Sequence, residues 1–448
     1  MKKLFTLLLV LTCYVGTASA WGDAVLHGNF NGDNYWNADT QHFTKIDGNQ
    51  FYFQLDGSVI NDADFYFRFA VKGEGGSDSF VEKEPDTDGH KSDQKVTSTK
   101  VTSNYNSWSG EGHTTKAWYI EKDPKADKVE IYLKYANQGN DTWKWQITAV
   151  PLYKRTITWD NSSVNWANVK AYTFDEGLND HRNIYELGTW GNEQVLTGSD
   201  NKYTVSFYGT STVKALFKTG NGGEKGKEQT YDLEVVNNGI YNSREWNKTA
   251  PYAISASISS VGYATFSSTK AVDFSTLTSQ VKAQKASVAD GKISYTDVTS
   301  VAANEGVLLK SVSGEAETLA IPLHANQSVA KNGGNAFEAI DATLKLAQST
   351  EDGYTNFILA KPEDGDLGFY KVNNAGSWCA AGTAYLKVNN SDLSAREFFL
   401  FTEEETTGIN AVQNNNNANR VIYNLAGQKV DSNYKGVVIV NGKKMFNK

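Results

Sequence analysis

The sequence predicts an all-β protein built from several domains. Short runs rich in Val, Ile, Thr, Tyr and Phe alternate with period two, as at residues 50–55, 128–135 and 202–208, between clusters of Gly, Asn and Asp. Residues 281–289 and 336–346 have patterns that allow only a few helical turns. At ~150 residues per domain, a chain of 448 residues predicts about three domains.

Residues 1–20 have the layout of a cleavable secretory signal, with a charged start, an apolar run at 4–15 and small residues at the end. A lipid anchor at Cys13 is the weaker alternative, because Thr12 stands where a lipoprotein signal has Gly, Ala or Ser. No later segment approaches the ~18 consecutive apolar residues that span a bilayer. The mature chain is therefore expected to be secreted and to have no transmembrane segment.

Two prolines divide the chain at changes of composition. Pro151 and Pro251 lie one common β-sandwich length, about 100 residues, apart. We therefore predict tandem β-sandwich modules of the immunoglobulin-like kind at 21–153 and 154–250. Residues 251–407, which exchange Trp and Tyr for Ala, Ser, Thr and Val, are predicted to form a β-rich accessory domain.

The C-terminal part begins with a polar stretch at 408–419 that has no apolar period, which predicts a flexible linker. Two apolar runs follow, at 421–430 and 435–444, with a polar turn between them. They predict a short hairpin-like tail at 420–448. The alternative is a last edge hairpin of the preceding domain.

Bulk composition excludes several classes of function. The formal net charge is −8 and no basic tract is present, so nucleic acid is not expected as a partner. Cys379 is the only cysteine after the signal, which excludes an intramolecular disulfide and a cysteine metal site. Aromatic residues make up 12% of a polar chain of mean hydropathy −0.49, and ten of the 11 tryptophans lie at or before Trp246. Aromatic surfaces are therefore expected in the N-terminal half.

Three aromatic residues form the main candidate site. Alternation in the strand at 169–175 places Tyr172 and Phe174 on one face, and Trp190 lies in a loop at 188–191 flanked by glycines. A pyranose ring presents C–H groups on one face, and an aromatic ring offers a flat apolar surface of matching size. Neighbouring amides and carboxylates can take the rim hydroxyls.

The same alternation also allows both strand aromatics to point into the core. Aromatic side chains in strands are most often buried, and the period does not say which face is wet, so the residues alone favour this arrangement. Trp190 is harder to assign to a core. The polar loop 175–187 and the Gly-rich loop 219–223 look solvated, and either is able to border a shallow groove.

These residues resemble a family. The matching segments are 157–162, Trp166, 171–175, Trp190 with Gly191, and 213–218. Over about 156–241 they are similar to family-26 carbohydrate-binding modules, β-sandwiches that bind starch. The resemblance implies that Tyr172, Phe174 and Trp190 grip α-1,4-linked glucose, and Trp166 is included among the expected ligand-binding residues. Gly191 stands where the family commonly has Pro.

The first module opens with residues 24–36, which are similar to the start of several starch-associated and outer-membrane glycan-binding sandwiches. This module has enough tryptophans for a second glycan-binding site. They are Trp36, Trp108, Trp118, Trp143 and Trp145. Trp143 and Trp145 share a strand face, for which a core position is slightly favoured.

The C-terminal half resembles parts of secreted Bacteroidetes proteins. Residues 304–310 and 367–371 resemble an accessory β-domain that recurs before the C-terminus of such proteins. Residues 423–428 and 435–444 look like the C-terminal sorting signal of type IX secretion. This resemblance implies passage through the outer membrane and retention at the cell surface.

No enzyme signature is present. The six histidines are scattered without an HExxH pattern, and the serine-hydrolase elbow and phosphate-loop patterns are absent. No catalytic-domain-sized segment is left for the paired carboxylates of a glycosidase. Residues 86–93 half resemble a calcium loop but lack the terminal Glu, so a solvated acidic loop is favoured. No catalytic residue, metal or cofactor is expected.

Together these observations predict a non-catalytic surface protein that binds polysaccharide, specifically α-glucan such as starch. Two modules on one chain would raise avidity for a repeating polymer. Other glycan-utilisation proteins of the same surface are the expected partners. The alternative is a structural or adhesive protein that binds a host or cell-surface protein, and burial of Tyr172, Phe174 and Trp190 would favour it.

Overall fold

The structure is a computed structural model. It describes residues 21–28, 41–47, 49–73, 78–80, 82–83, 94–97, 101–104, 118–137, 143–175, 187–349, 353–363, 365–393, 397–401, 422–424, 429–430, 436–440 and 443–447. Almost all elements in these residues are strands, which confirms the all-β prediction. The helical elements are α1 (Ser58–Asn61) and short 3₁₀ turns at Asn161–Ser163 and Asn390–Asp392. The chain divides into two compact units, Met1–Leu400 and Phe401–Lys448.

The N-terminal strands form a β-sandwich. They are β1 (Trp21–Gly28), β2 (Gln41–His42), β3 (Thr44–Asp47), β4 (Gln50–Asp56), β5 (Phe65–Gly73), β6 (Asp78–Phe80), β7 (Glu82–Lys83), β8 (Gln94–Lys95), β9 (Val101–Asn104), β10 (Trp118–Ile120), β11 (Lys128–Asn137) and β12 (Trp143–Asp160). One sheet has the order β2-β1-β5-β10-β8, with β6 on β5. The other runs β3-β4-β11-β12, with β9 on β12 and β7 on β9.

Large aromatic side chains fill the space between these two sheets. Fully buried members are Phe51, Phe67, Phe69, Trp118 and Trp145. Their rings pack mainly at tilted or edge-on angles with centroids 5.0 to 6.3 Å apart, in the range that favours aromatic pairs. The aromatic richness of this module is thus used in part to build a core. The core position favoured for Trp145 is confirmed, whereas Trp36, Trp108 and the side chain of Trp143 lie outside the described residues.

Strand β12 belongs to two sandwiches. It pairs with β11 as far as Leu152 and with β15 from Tyr153 onward, without a break at Pro151. Ala149, two residues earlier, donates its N–H to the carbonyl of Thr97 on the side away from β11 (3.0 Å). The nitrogen of Pro151, which carries no N–H, faces that same side, between the ends of β9 and β15. No hydrogen bond to β11 is therefore lost. A proline therefore stands inside this strand without interrupting it.

The second sandwich shares β12 and adds six strands. They are β13 (Val169–Phe174), β14 (Gly198–Ser199), β15 (Lys202–Gly209), β16 (Lys214–Thr219), β17 (Leu233–Glu234) and β18 (Gly239–Tyr241). One sheet is β14-β15-β12-β18, in which β18 is parallel to β12, and the other is β13-β16-β17. Trp159, Phe207, Phe217 and Tyr241 are fully buried between them.

The remaining strands of the first unit continue from this sandwich. They are β19 (Ala253–Ile258), β20 (Tyr263–Phe266), β21 (Val272–Asp273), β22 (Val281–Ala289), β23 (Lys292–Val298), β24 (Ser300–Val301), β25 (Val307–Ser311), β26 (Glu317–Pro322), β27 (Phe337–Ile340), β28 (Leu344–Leu346), β29 (Tyr354–Ala360), β30 (Gly368–Lys371), β31 (Ser377–Cys379), β32 (Thr383–Asn389) and β33 (Phe398–Leu400). Strand β19 pairs with both β18 and β26, so one sheet extends from the first sandwich into this region.

Smaller sheets complete this region, with the orders β20-β25-β22-β23, β21-β24, β27-β32-β29-β30-β33 and β28-β31. The prediction of helical turns at 281–289 and 336–346 is wrong, since the first segment is β22 and the second contains β27 and β28. Strand β22 is paired on both sides, and its Val281, Ala283 and Ala286 are buried. Pairing and burial override the helix preference of its Ala, Lys and Gln residues.

The second unit contains β34 (Ile422–Asn424), β35 (Lys429–Val430), β36 (Gly436–Val440) and β37 (Lys443–Asn447) in the order β35-β34-β36-β37. The predicted hairpin-like tail is thus a sheet of four short strands. The predicted signal at 1–20, the linker at 408–419 and the acidic loop at 86–93 lie outside the described residues. Among the residues that are described, no helix is long and apolar enough to cross a membrane.

A tyrosine-carboxylate bond ties β12 to the segment that precedes β19. The hydroxyl of Tyr252 donates to Oδ2 of Asp160 at 2.9 Å. Burial and this bond raise the pKa of Tyr252 to about 12. Burial opposes ionisation of Asp160, but bonds from Ser162 and Tyr252, with the charge of Lys202, hold its pKa below the ordinary value.

We expect this bond to give an alkaline limit to stability. Because the pKa of Tyr252 is higher in the folded than in the unfolded chain, its contribution is complete below about pH 10 and is lost as the pH rises toward 12. The measurement is urea unfolding of the wild type and of Tyr252→Phe across pH 8 to about 12. Their midpoints should differ by a constant amount up to about pH 10 and converge above it. A difference that persists unchanged to about pH 12 would contradict this assignment.

Candidate functional site

Strand β13 presents two aromatic rings on the outer face of its sheet. Val169, Ala171 and Thr173 are buried on the inner face, while Tyr172 and Phe174 alternate with them and are half-buried. The inward orientation favoured by the residues alone is therefore wrong. Small side chains face inward at this strand because the core behind it is already occupied by large rings of β12 and β16. The rings of Tyr172 and Phe174 lie side by side, with centroids 6.0 Å apart and planes 21° apart.

Trp190 lies on a tight turn beside these rings. The backbone N–H of Asn192 donates to the carbonyl of Thr189 at 2.8 Å, and both flanking glycines have positive φ, 105° at Gly188 and 90° at Gly191. Side chains at those two positions would strain the turn. The indole is 47% exposed. The two glycines that flank the tryptophan in the sequence thus allow the tight turn that presents the ring.

The three rings form one corner-shaped surface, here named the aromatic platform and defined by Tyr172, Phe174 and Trp190. The ring of Trp190 is perpendicular to that of Tyr172, at an interplanar angle of 88° with centroids 5.2 Å apart. The rings of Tyr172 and Phe174 are nearly parallel and Trp190 stands across Tyr172, so the pair is here called the floor of the platform and Trp190 its wall. The structure therefore brings three of the four predicted site residues together.

Trp166, the fourth, lies with the core of the second sandwich. Its ring stacks on the buried Trp159 with centroids 5.2 Å apart and planes 20° apart. The guanidinium of Arg244 lies 6.0 Å from its centroid. A pocket of about 390 Å³, lined in part by Arg244 and Lys248, opens in the loops next to it. The position of Trp166 is that of a side chain that supports the fold.

A buried ion pair lies under Trp190. Nζ of Lys218 is 2.6 Å from Oε1 of Glu193, and neither side chain has any exposed surface. The same Nζ lies 3.8 Å from the centroid of the Trp190 ring. Because Lys218 covers the inner face of the indole, the exposed part of Trp190 is its outer face and edges. Sequence reasoning missed both partners, since charged side chains are almost never fully buried and no pattern marks the exception.

Gly222 lies close to the indole of Trp190. Its φ is +70°, and a Cβ there would lie 2.9 Å from Oε1 of Gln229, 3.0 Å from Cδ of Lys218 and 3.3 Å from Cζ2 of Trp190. The Gly-rich loop predicted to border a groove therefore packs directly below the wall of the platform. Gly220, in the same loop, also has positive φ (57°) but has no atom within 4 Å of such a Cβ.

These two glycines provide a matched pair of variants. Gly222→Ala should displace Trp190 and weaken any ligand that stacks on the platform by about tenfold, the equivalent of ~1.4 kcal/mol. Gly220→Ala imposes comparable backbone strain in the same loop without touching the indole, so its effect on binding should be within about threefold. Affinities of both variants for maltoheptaose, measured by calorimetry, check this. Equal losses of affinity in the two variants would show that strain in the loop, and not the position of the Trp190 indole, controls binding.

Among the described residues, no three His, Cys, Asp or Glu side chains lie close enough to hold a metal ion. Comparisons with protein families, curated proteins and solved structures find no match to this chain. Any functional conclusion therefore rests on the geometry of the platform and on the resemblance of the residues that form it.

Proposed function

We propose that this chain is a secreted, non-catalytic protein that binds α-glucan through the aromatic platform. The supporting observation is that Tyr172, Phe174 and Trp190 lie together on the outer face of a sheet with the outer face of the indole open to solvent. The adhesive alternative does not require this arrangement.

The shape of the platform suits a curved polysaccharide. Glucose rings joined by α-1,4 bonds turn relative to one another along the chain, whereas β-1,4-linked chains are extended and flat. A floor and a wall at 88° are able to stack on two differently oriented sugar faces, and a flat chain would contact only one. Each stacked ring removes apolar surface from water at about 25 cal/mol per Å².

Polar groups around the platform suit the rim of a sugar. Lys170 lies on the same outer face of β13, one alternate position before Tyr172, and is partly exposed. Asn192 and Asn221 are exposed on the two loops that flank the indole. Their amides and the ammonium group are donors and acceptors of the kind that bind ring hydroxyls. This composition, an apolar centre with a polar edge, is typical of sites for neutral glycans.

The ends of the chain complete the proposal. The signal-like residues 1–20 would direct export, and the type IX-like tail at 420–448 would lead to outer-membrane passage and retention at the cell surface. There the chain would hold polymer close to other glycan-utilisation proteins. Residues 251–407 would act as an accessory domain between the binding modules and the tail.

Affinity electrophoresis of the mature chain tests the function. Retardation is expected in native gels that contain amylopectin, and no retardation in gels that contain xylan or mannan, with pullulan as a linkage control. Trp190→Ala should lose the retardation, because it removes the wall of the platform, whereas Trp246→Ala, which removes a ring that is 73% exposed elsewhere, should retain it. Unchanged mobility of the wild type in every gel would refute α-glucan binding and favour the adhesive alternative.

A further inference from the structure

The buried Lys218–Glu193 pair joins strand β16 to the loop that carries Trp190, and burying these two charges costs free energy. Removing each charge from water costs several kcal/mol, and a well-packed apolar pair of similar volume is often as stable as a buried ion pair. Oε2 of Glu193 is also buried and has no hydrogen-bond partner among the described residues. Stability alone therefore gives no reason for placing these two charges at this point.

The contacts of the pair converge on Trp190. The ammonium of Lys218 lies under the indole face. Oε1 of Glu193 accepts a hydrogen bond from the backbone N–H of Gly191, the residue after Trp190, at 3.1 Å. Lys218 also donates to the carbonyl of Asn221 at 3.2 Å, in the loop that lies below the ring. One ion pair thus holds the ring, the backbone beside it and the loop that supports it.

We propose that Lys218 and Glu193 are positioning residues that hold the indole of Trp190 perpendicular to Tyr172. The attraction between an ammonium and an aromatic face fixes the inner side of the ring and leaves the outer side for a ligand. Because Glu193 is tied to the backbone of the turn, the ammonium cannot move without moving the turn. The consequence for affinity rests on the proposed glucan function, whereas the orientation of the ring does not.

Two single variants and one double variant test the positioning role. Lys218→Met and Glu193→Gln each leave one buried partner without its counter-charge, and the double variant Lys218→Met with Glu193→Leu replaces both by apolar groups. In protein labelled with 5-fluorotryptophan, the ¹⁹F resonance of Trp190, assigned by its loss in Trp190→Phe, should shift and broaden in all three. The double variant should recover the unfolding midpoint of the wild type but not its Trp190 resonance.

Binding of maltoheptaose supplies a second readout that a purely structural role would not produce. Lys218→Met should weaken affinity by about tenfold in the wild type, but by less than twofold in a Trp190→Ala background, whose weaker binding through Tyr172 and Phe174 is titrated at millimolar maltoheptaose. The reason is that Lys218 and Trp190 act through the same ring. Additive losses would overturn the positioning role, and so would a double variant whose Trp190 resonance is that of the wild type. The expected resonance changes in a chain that binds no glucan would overturn the proposed function alone.

Discussion

Replacing Trp159 by alanine is expected to lower the free energy of unfolding by about 3–5 kcal/mol, the range for removing a large buried aromatic side chain. Trp159 has no exposed surface. Its ring stacks on Trp166 and on Phe217, with centroids 5.2 and 5.7 Å away and planes within 27°. The variant loses the buried area and leaves a cavity among aromatic neighbours that are too rigid to collapse into it.

Trp159→Ala also loses a hydrogen bond made by the indole nitrogen, which lowers stability further. Nε1 of Trp159 donates to Oδ1 of Asn161 at 3.2 Å, and the same buried asparagine accepts the backbone N–H of Trp166 and donates to its carbonyl. Removing the indole takes away one bond from a network that shapes the turn after β12. Trp166 then loses both its stacking partner and part of its backbone support.

Urea unfolding followed by circular dichroism measures this effect, with Trp246→Ala as the control. Both variants remove the same side chain, but the indole of Trp246 is 73% exposed, so its loss should change stability by less than about 0.5 kcal/mol. A loss below about 1 kcal/mol for Trp159→Ala would show that its ring is not packed in the core of the second sandwich.

A large loss of affinity is expected from Tyr172→Ala. Tyr172 is the central ring of the platform, since it contacts Phe174 on one side and Trp190 on the other. A sugar that covers ~80 Å² of this ring loses about 2 kcal/mol when it is removed, which is about thirtyfold in affinity. The neighbouring rings also lose a packing partner, so this figure is a lower bound.

Tyr172→Phe distinguishes the contribution of the ring to affinity from that of the hydroxyl. Because the stacking surface is retained, its affinity for maltoheptaose should fall by no more than about threefold. Trp378→Ala removes a ring that is 58% exposed but lies on β31, outside the platform, and should leave affinity unchanged. Calorimetric titration of the three variants checks these values. Equal affinities of Tyr172→Ala and the wild type would exclude the floor of the platform from the binding site.

The sequence predicted the all-β fold because alternation with period two survives in most strands. It also placed Tyr172 and Phe174 on one face, since side-chain direction along a strand is fixed by geometry. It did not show which face is solvated. That depends on how much of the core at the inner face of β13 other side chains already fill. Trp159 of the opposite sheet and Phe217 of the neighbouring strand β16 reach this space only in the folded chain.

Three other features could not be predicted from the local sequence pattern. Pro151 suggested an interruption, yet β12 runs through it because the missing donor points between two partner strands. Residues 281–289 have a composition that suits a helix, but pairing on both sides makes them a strand. Burial of Lys218 follows from its pairing with Glu193, which is 25 positions away in the sequence. Each outcome is decided by contacts between distant segments, which local preference does not report.

The most direct test of the central claim is a ¹⁹F titration of the 5-fluorotryptophan-labelled chain with maltoheptaose. We expect the Trp190 resonance to move and saturate, while those of the exposed Trp246 and Trp378 stay in place. A Trp190 resonance that is unchanged at millimolar maltoheptaose would show that the aromatic platform does not bind α-glucan. Saturable movement of Trp246 or Trp378 alone would instead place the glycan site elsewhere on the chain.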